Sequence, residues 1–297
     1  MVFDQAGLPD LQKSESPIAN IHLQKVGVNR VHIPVLYLKR DGQVQQHDTE
    51  ASLYVSLAPE KKGINMSRLV LIVHEHAKRG LPALGLVKAV LEDIRWKLRD
   101  SDDEPPLGNA YFKLKFRYYI PQTSLASGLT GDAAYDCVLE GVTVGDKLRT
   151  YLTVNYEYSS TCPCSKALAE QYMQEYKDGK RTDGNGTATA HAQRSNAAVT
   201  VEFDPETPLM VEDMVEKLRQ VIPTEVQVIV KRVDEQAFAI LNGSYPVFCE
   251  DIARVVADWL GNDSRVLDYS VVAEHFEALH RHNAVSIAYA GKPGGLR

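Results

Sequence analysis

From residue 110 to 121 the chain reads AYFKLKFRYYIP, apolar and charged residues taking turns. That is the period of a strand with one face on a core and the other in water. YDCVLEGVTV (135–144) answers it across a glycine-bearing turn and predicts its antiparallel partner. VHIPVLYLKR (31–40) and ASLYVSLA (51–58) have the same strand composition, with the polar stretch DGQVQQHDTE as the turn of a hairpin. Between the two pairs the period changes. Ser67 can cap a helix through RLVLIVHEHAKR, and LPALGLVKAVLEDIRWKLR (81–99) carries apolar residues three and four apart until SDDEPP stops it. The first half therefore reads ββααββ.

The order returns in the second half. KLRTYLTVNYEYSS (147–160) and NAAVTVEFD (196–204) are predicted strands, separated by the helical SKALAEQYMQEYK and the polar DGKRTDGNGTATA. Helices at 211–221 and 246–260 and strands around 224–231, 266–275 and 284–289 complete a second unit of the same type. No residue-level repeat links the halves; the duplication rests on element order. The expectation is an α+β fold of two tandem units, 29–145 and 146–297, each an antiparallel sheet with helices on one face. Residues 1–28, polar and interrupted by Pro9 and Pro17, read as an N-terminal arm. Open sheet edges need covering, which predicts a homo-oligomer.

Composition narrows the function. A formal charge of −6 excludes a general nucleic-acid binder, which needs clustered Lys and Arg, but leaves room for a small anion held by a few local cations. No apolar run approaches the roughly 18 residues that span a bilayer, and the N-terminus lacks the basic-then-apolar order of a signal peptide. No membrane partner and a cytoplasmic location are expected. Four cysteines in a chain of 297 residues do not make a disulfide framework, so Cys137, Cys162, Cys164 and Cys249 are core residues or chemistry.

STCPCSK (160–166) lies directly after a predicted strand and before a helix. Two cysteines there cannot close a four-thiolate zinc site, but an open mixed-ligand site remains, and a helix N-terminus favours thiolate. The alternative reading is that the two are small residues filling a turn. HAQRS (191–195) opens the strand that pairs with the one ending at Ser160, so Cys162, Cys164 and His191 can converge at one rim. In AEHFEALHRHNA (273–284), Glu277 and His280 are three apart and share a face if helical, either as two metal ligands or as plain polar surface. Glu250 and Asp251 open a helix as ordinary dipole partners, and Glu235 sits in KRVDEQ, by default a charged turn. Lys61, Lys62 and Arg68 surround Gly63 ahead of a helix start able to take a phosphate, without a Walker motif.

Together KGINMSR, STCPCSK, HAQRS, VFCED and FEALHRHNA, in this order, closely resemble the type IB GTP cyclohydrolases, from about residue 28 to 290. The resemblance implies a bimodular tunnelling fold, a homotetramer with active sites at subunit interfaces, and a divalent metal cofactor (manganese, iron or zinc). It also implies hydrolysis of GTP to 7,8-dihydroneopterin triphosphate and formate. Carried across residue by residue, it makes Cys162 a metal ligand, Cys164 a second catalytic thiol, and His191 a ligand or proton shuttle. Glu235, Glu277 and His280 fall round the metal, and Glu250 becomes the anchor of the purine ring. Lys61, Lys62, Arg68 and Arg194 are the candidate triphosphate cations. Two departures stand out: the 178–190 stretch is longer than in shorter members, suggesting a mobile flap, and Ala167 stands where some members have Glu, whose role either moves to Glu170 or is absent. The rivals are another tunnelling-fold purine or pterin enzyme and a non-catalytic metal-binding oligomer.

Overall fold

The strand alternation runs further than the expected segments in the computed structural model, which describes residues 11–99 and 107–296. The first ten residues of the expected arm and the SDDEPP helix stop lie outside the described residues. After the short α1 (Leu11–Ser14), β1 (Leu23–Leu38) begins inside the segment expected as an arm, and β2 begins at Val44 (Val44–Leu57). Most of the expected turn 41–50 is therefore strand, in continuous register from Val31↔Ala51 to Leu38↔Val44. The real turn closes with the Lys39 N–H donating to the Gln43 carbonyl at 2.8 Å, and Gly42 supplies the positive φ of 83° it needs.

The remaining strands are β3 (Asn109–Thr123), β4 (Thr130–Val144), β5 (Lys147–Thr161), β6 (Ala192–Phe203), β7 (Val266–His275) and β8 (Ala284–Tyr289). Among the described residues the eight form one antiparallel sheet in chain order, with the helices on one side. By compactness the chain divides into two units: residues up to 117 with 137–152 and 203–208, and residues 118–136, 153–202 and 209–297.

In the first unit, α2 (Met66–Ala77) and α3 (Ala83–Lys97) pack on β1. The cap of α2 is Asn65, whose Oδ1 accepts the Arg68 N–H at 3.3 Å; Ser67, the expected cap, falls in the first turn and donates its hydroxyl to the same oxygen. Leu69, Val87, Val90 and Ile94 are fully buried, each contributing about 2 kcal/mol by removal from water. A Cβ on Gly141 would run into Val87 and Leu91, so the close seating of α3 on β4 depends on that glycine.

The second unit is held by a row of buried tyrosines whose polar tips are all engaged. Tyr118 donates to Glu212 at 2.6 Å, Tyr135 to Glu225, and Tyr156 to the Ile222 carbonyl at 2.9 Å, while Tyr158 pairs with His275 at 3.0 Å. Burial pushes the pKa of Tyr135, Tyr156 and Tyr158 far above the ordinary phenol value, so they serve as neutral hydrogen-bonding groups. The segment 224–231, expected as a strand, is instead a strap with a single isolated bridge, Tyr158↔Glu225. Side chains replace most of its ladder. Thr224 donates to the Ser159 carbonyl at 2.6 Å, and the Gln122 amide clamps the Val226 carbonyl and the Val228 N–H, each at 2.9 Å. Glu225 turns inward to Arg219 at 2.9 Å. KRVDEQ, expected as a turn, opens α6 (Arg232–Ser244); α5 (Val211–Val221) and α7 (Cys249–Asn262) match the expected helices within three residues.

Arg219→Met leaves the Glu225 carboxylate, only 8% exposed, without its cation. Chemical denaturation should show a loss on the order of 3 kcal/mol, since breaking a buried ion pair strands the remaining charge. An unchanged midpoint would mean that Tyr135 alone satisfies Glu225.

Candidate active site

Where β5 ends, the chain turns directly into α4 (Pro163–Lys177) with Cys162 as its N-cap, φ −67° and ψ 120°. Pro163 fits the first helical position, where a missing N–H costs nothing and the ring presets φ. Two hydrogen bonds tie this corner to the start of β6: the Cys162 N–H donates to the His191 carbonyl at 3.1 Å, and the His191 N–H to the Ser165 hydroxyl at 3.2 Å. Cys162 Sγ accepts the Ser165 N–H at 3.5 Å. The thiol and the imidazole are thus set by neighbouring strand ends.

The third contribution comes from the loop 276–283 between β7 and β8. The E-x-x-H pair expected on a helix is not helical: residues 276–283 are irregular. The footing of this loop is fixed instead by the Phe276 N–H donating to the Arg194 carbonyl at 3.1 Å and by Asn283 donating to Glu274 at 2.8 Å. It nevertheless reaches the cysteines. Cys162, Cys164, His191, Glu277, His280 and His282 line one cavity of about 380 Å³. Glu277 Oε2 lies 3.8 Å from His191 Nδ1, and the rings of His280 and His282 stack at 4.7 Å. Behind the wall, burial holds the pKa of His275 below the ordinary histidine value. A larger hollow, about 970 Å³, runs between α5 and α7, but neither Cys nor His lines it.

As a donor set, one or two thiols, imidazoles and a carboxylate suit a borderline divalent ion such as zinc, iron or manganese. Among the described residues no three His, Cys, Asp or Glu side chains already converge on one ligating point. The chemistry of the lining fits a metal.

A family model described as type I GTP cyclohydrolase folE2 matches residues 8–286. The GTP cyclohydrolase FolE2 of Cereibacter sphaeroides is 39% identical over 290 residues, covering 97% of this chain and 76% of that protein. That of Dinoroseobacter shibae is 39% identical over 289 residues, covering 96% and 74%. The chain belongs to the type I GTP cyclohydrolase FolE2 family. In fold alone it is similar to a hyper-thermostable AgUricase mutant, at a TM-score of 0.51 and 7% identity over 92% of this chain and 94% of that one.

Not every residue singled out by the FolE2 resemblance lies in the cavity. Glu235 is exposed in the first turn of α6. Glu250 sits in the first turn of α7, its carboxyl held below the usual range by its own backbone N–H at the helix start and by the Cys249 thiol 3.3 Å away. Arg194 alternates with Gln193 and so projects from the opposite face of β6. In the first unit, Lys62 pairs with Glu15 at 3.4 Å, Arg68 donates to the Lys97 carbonyl at 3.1 Å, and Lys61 is likewise engaged. The 178–190 stretch, expected as a mobile flap, folds back on α4. Tyr172 donates to the Asp183 carbonyl at 2.6 Å, the Gly186 N–H donates to Tyr172 at 3.2 Å, and Arg181 stacks on the same ring. Glu170, offered as a substitute for the Glu absent at Ala167, is spent on Lys166 at 3.6 Å. His282 and Gln193 were within the quoted motifs but unassigned; for Gln193 the signal is the strand period of two that places it on the same face as His191, whereas His282 joins His280 by ring stacking on an irregular loop that the sequence does not reveal.

The start of α6, and with it Glu235, hangs on Asp234. This buried carboxylate accepts the N–H groups of Ala126, Ser127 and Lys231, each at 2.8 Å. The Ser127 side chain first, and then these backbone donors, hold its pKa well below the ordinary aspartate value of 3.8. A depressed folded-state pKa gives stability that is complete above the unfolded value and is lost as pH falls through the folded one. Asp234→Asn should therefore lower stability at neutral pH and flatten the acid limb below about pH 4, read as thermal midpoint against pH. A parallel acid limb in the variant would show that other carboxylates carry it.

Proposed function

We propose that this chain is a metal-dependent GTP cyclohydrolase of the type IB class. It opens the imidazole ring of the guanine of GTP by hydrolysis, releases formate, and gives 7,8-dihydroneopterin triphosphate for folate synthesis in the cytoplasm. The observation that carries this reading is the gathering of Cys162, Cys164, His191, Glu277 and His280, from three separate stretches of a FolE2-family chain, on one cavity.

Cys162, Glu277 and His280 are the residues assigned to hold the ion; Glu235, which the resemblance adds, does not line this cavity. When bound, manganese, iron or zinc supplies a Lewis acid that activates water for attack at guanine C8. His191 moves protons to and from the ring nitrogens, a task suited to imidazole near neutral pH. Glu250, kept ionised by its position at a helix start, accepts two parallel hydrogen bonds from N1–H and the 2-amino group of guanine. Adenine would leave those acceptors unpaired, which sets base specificity. Lys61, Lys62, Arg68 and Arg194, none of which lines this cavity, are candidates for the triphosphate by the family resemblance alone. Assembly as a homotetramer with shared sites is supported by α6, where Val233 and Ile240 are 54% and 64% exposed and only Asp234 is buried. Among the described residues no helix is long and apolar enough to cross a membrane.

The test is turnover of GTP by metal-stripped protein with manganese, iron or zinc restored, following formate and pterin fluorescence. Metal-dependent product is expected, falling at least about 100-fold in Cys162→Ala, the lower end of what loss of one catalytic group costs. Turnover without metal, or unchanged in the variant, overturns the mechanism; folded protein that binds no GTP overturns the function.

A further inference from the structure

Behind His191 lies a short chain of buried polar side chains that the mechanism above does not use. Gln193, two residues along the same strand and so on the same face, places its Oε1 2.9 Å from His191 Nδ1. Its Nε2 donates to the Ser160 hydroxyl at 2.8 Å, and Ser160 pairs with Ser195 at 2.8 Å. Gln193 is 8% exposed and both serines are fully buried. Solvent therefore does not compete for these bonds, and the amide is held from both ends.

The geometry points to Gln193 as the positioning residue that fixes His191 as its Nδ1–H tautomer. Two groups on the Nδ1 side favour a proton there, the Gln193 oxygen from hydrogen-bond distance and the Glu277 carboxylate more weakly from 3.8 Å. With its amino group committed to Ser160, Gln193 presents an oxygen to the ring, and that oxygen can only accept. The Glu277 carboxylate, 3.8 Å from the same nitrogen, also can only accept, and its charge favours a proton facing it over a lone pair. A lone pair on Nδ1 would oppose both. Once Nδ1 carries the hydrogen, the neutral ring has its free lone pair on Nε2, which has no partner among the described residues.

The consequence for chemistry is directional. His191 is set to accept a proton or a divalent ion through Nε2, and as a neutral ring it cannot donate from that atom. It enters the reaction as a base or a ligand, and acts as an acid only after it has taken up a proton. A glutamine in this place orients the ring without adding the negative charge that an aspartate or glutamate would bring beside Glu277. The tautomer assignment stands on the geometry alone; its kinetic consequence rests on the function proposed above.

The test reads the ring before it reads the reaction. In isotope-labelled, metal-free, full-length protein, the nitrogen NMR signals of His191, assigned by their loss in His191→Asn, should show a protonated Nδ1 and an unprotonated Nε2. Gln193→Glu, which keeps an acceptor at the same place, should retain that pattern. Gln193→Met, which keeps the volume and removes the acceptor, should move the proton to Nε2 in a large part of the molecules. Manganese or zinc affinity, titrated without GTP, should fall about 10- to 100-fold in Gln193→Met and recover in Gln193→Glu, with kcat following and KM for GTP little changed. An Nε2–H signal in the parent protein, or an unaltered Nδ1–H signal in Gln193→Met, overturns the assignment. If Gln193→Met does not fold, the parent and Gln193→Glu spectra decide it. Absence of GTP turnover with every metal would refute the proposed function and leave the ring signature as it was.

Discussion

Everything at the candidate site hangs on two hydrogen bonds that cross between the end of β5 and the start of β6. The Cys162 N–H donates to the His191 carbonyl, and the His191 N–H returns to the Ser165 hydroxyl one turn into α4. Neither bond is strong alone, at about 1 kcal/mol net. Their effect is geometric: they bind a helix start to a strand start, so a thiol and an imidazole separated by the whole of α4 and a 13-residue polar stretch are fixed in mutual position. The polar stretch can vary in length because it does not span the gap alone; it is folded back on α4 by Tyr172, and its ends are set by the crossing. Sheet order supplies the rest, since β5 and β6 are neighbours and β7 lies next to β6.

The second constraint is desolvation. The second unit buries many polar groups: four tyrosine hydroxyls, the Glu225 carboxylate, His275, and the Ser160, Ser195 and Gln193 side chains. Each would be costly to bury unpaired, and in each case the pairing carries positional information. Tyr158 fixes His275 behind the cavity wall, Arg219 and Glu225 pin the strap that leads into α6, and Asp234 draws three backbone N–H groups round the start of α6. An apolar core of the same size would hold the unit together. It would not specify where the loop ends fall to the same degree, because hydrophobic burial has no direction.

Much of this was legible from residue order, for identifiable reasons. Strands with one wet face announce themselves by alternation, and β3, β4, β5 and β6 lie where that pattern puts them. The approach to a common rim of Cys162 and His191 followed from recognising their two segments as neighbouring strands. The errors have separate causes. VQVIV in the 224–231 segment has the composition of a strand, but the Gln122 amide, about 100 residues away, takes the Val226 carbonyl and the Val228 N–H, and Glu225 is drawn to the nearby Arg219, so side-chain partners override local propensity. KRVDEQ looked like a turn because it is the charged opening of a helix whose apolar residues, Val233, Ala237, Ile240 and Leu241 at helical spacing, mostly fall beyond those six positions. The cap at Asn65 was missed for Ser67 because two capping residues lie within one turn, and only geometry separates them.

The site joins two kinds of support. Cys162 and His191 sit on ends of sheet strands and are tied to each other by backbone bonds; Glu277 and His280 ride on an irregular loop anchored only at its feet. A donor set split in this way is half rigid and half adaptable. For the metal-bound form proposed above, the strand-borne pair would set the place of the site and the loop-borne pair would complete the donor set. Six candidate donors, Cys162, Cys164, His191, Glu277, His280 and His282, line one cavity, and among the described residues no three of them meet at a ligating point. Gln193 belongs to the rigid half. By orienting the imidazole from behind, it leaves the cavity-facing nitrogen available whichever position the loop residues adopt, so the loop adjusts round a ring that stays fixed.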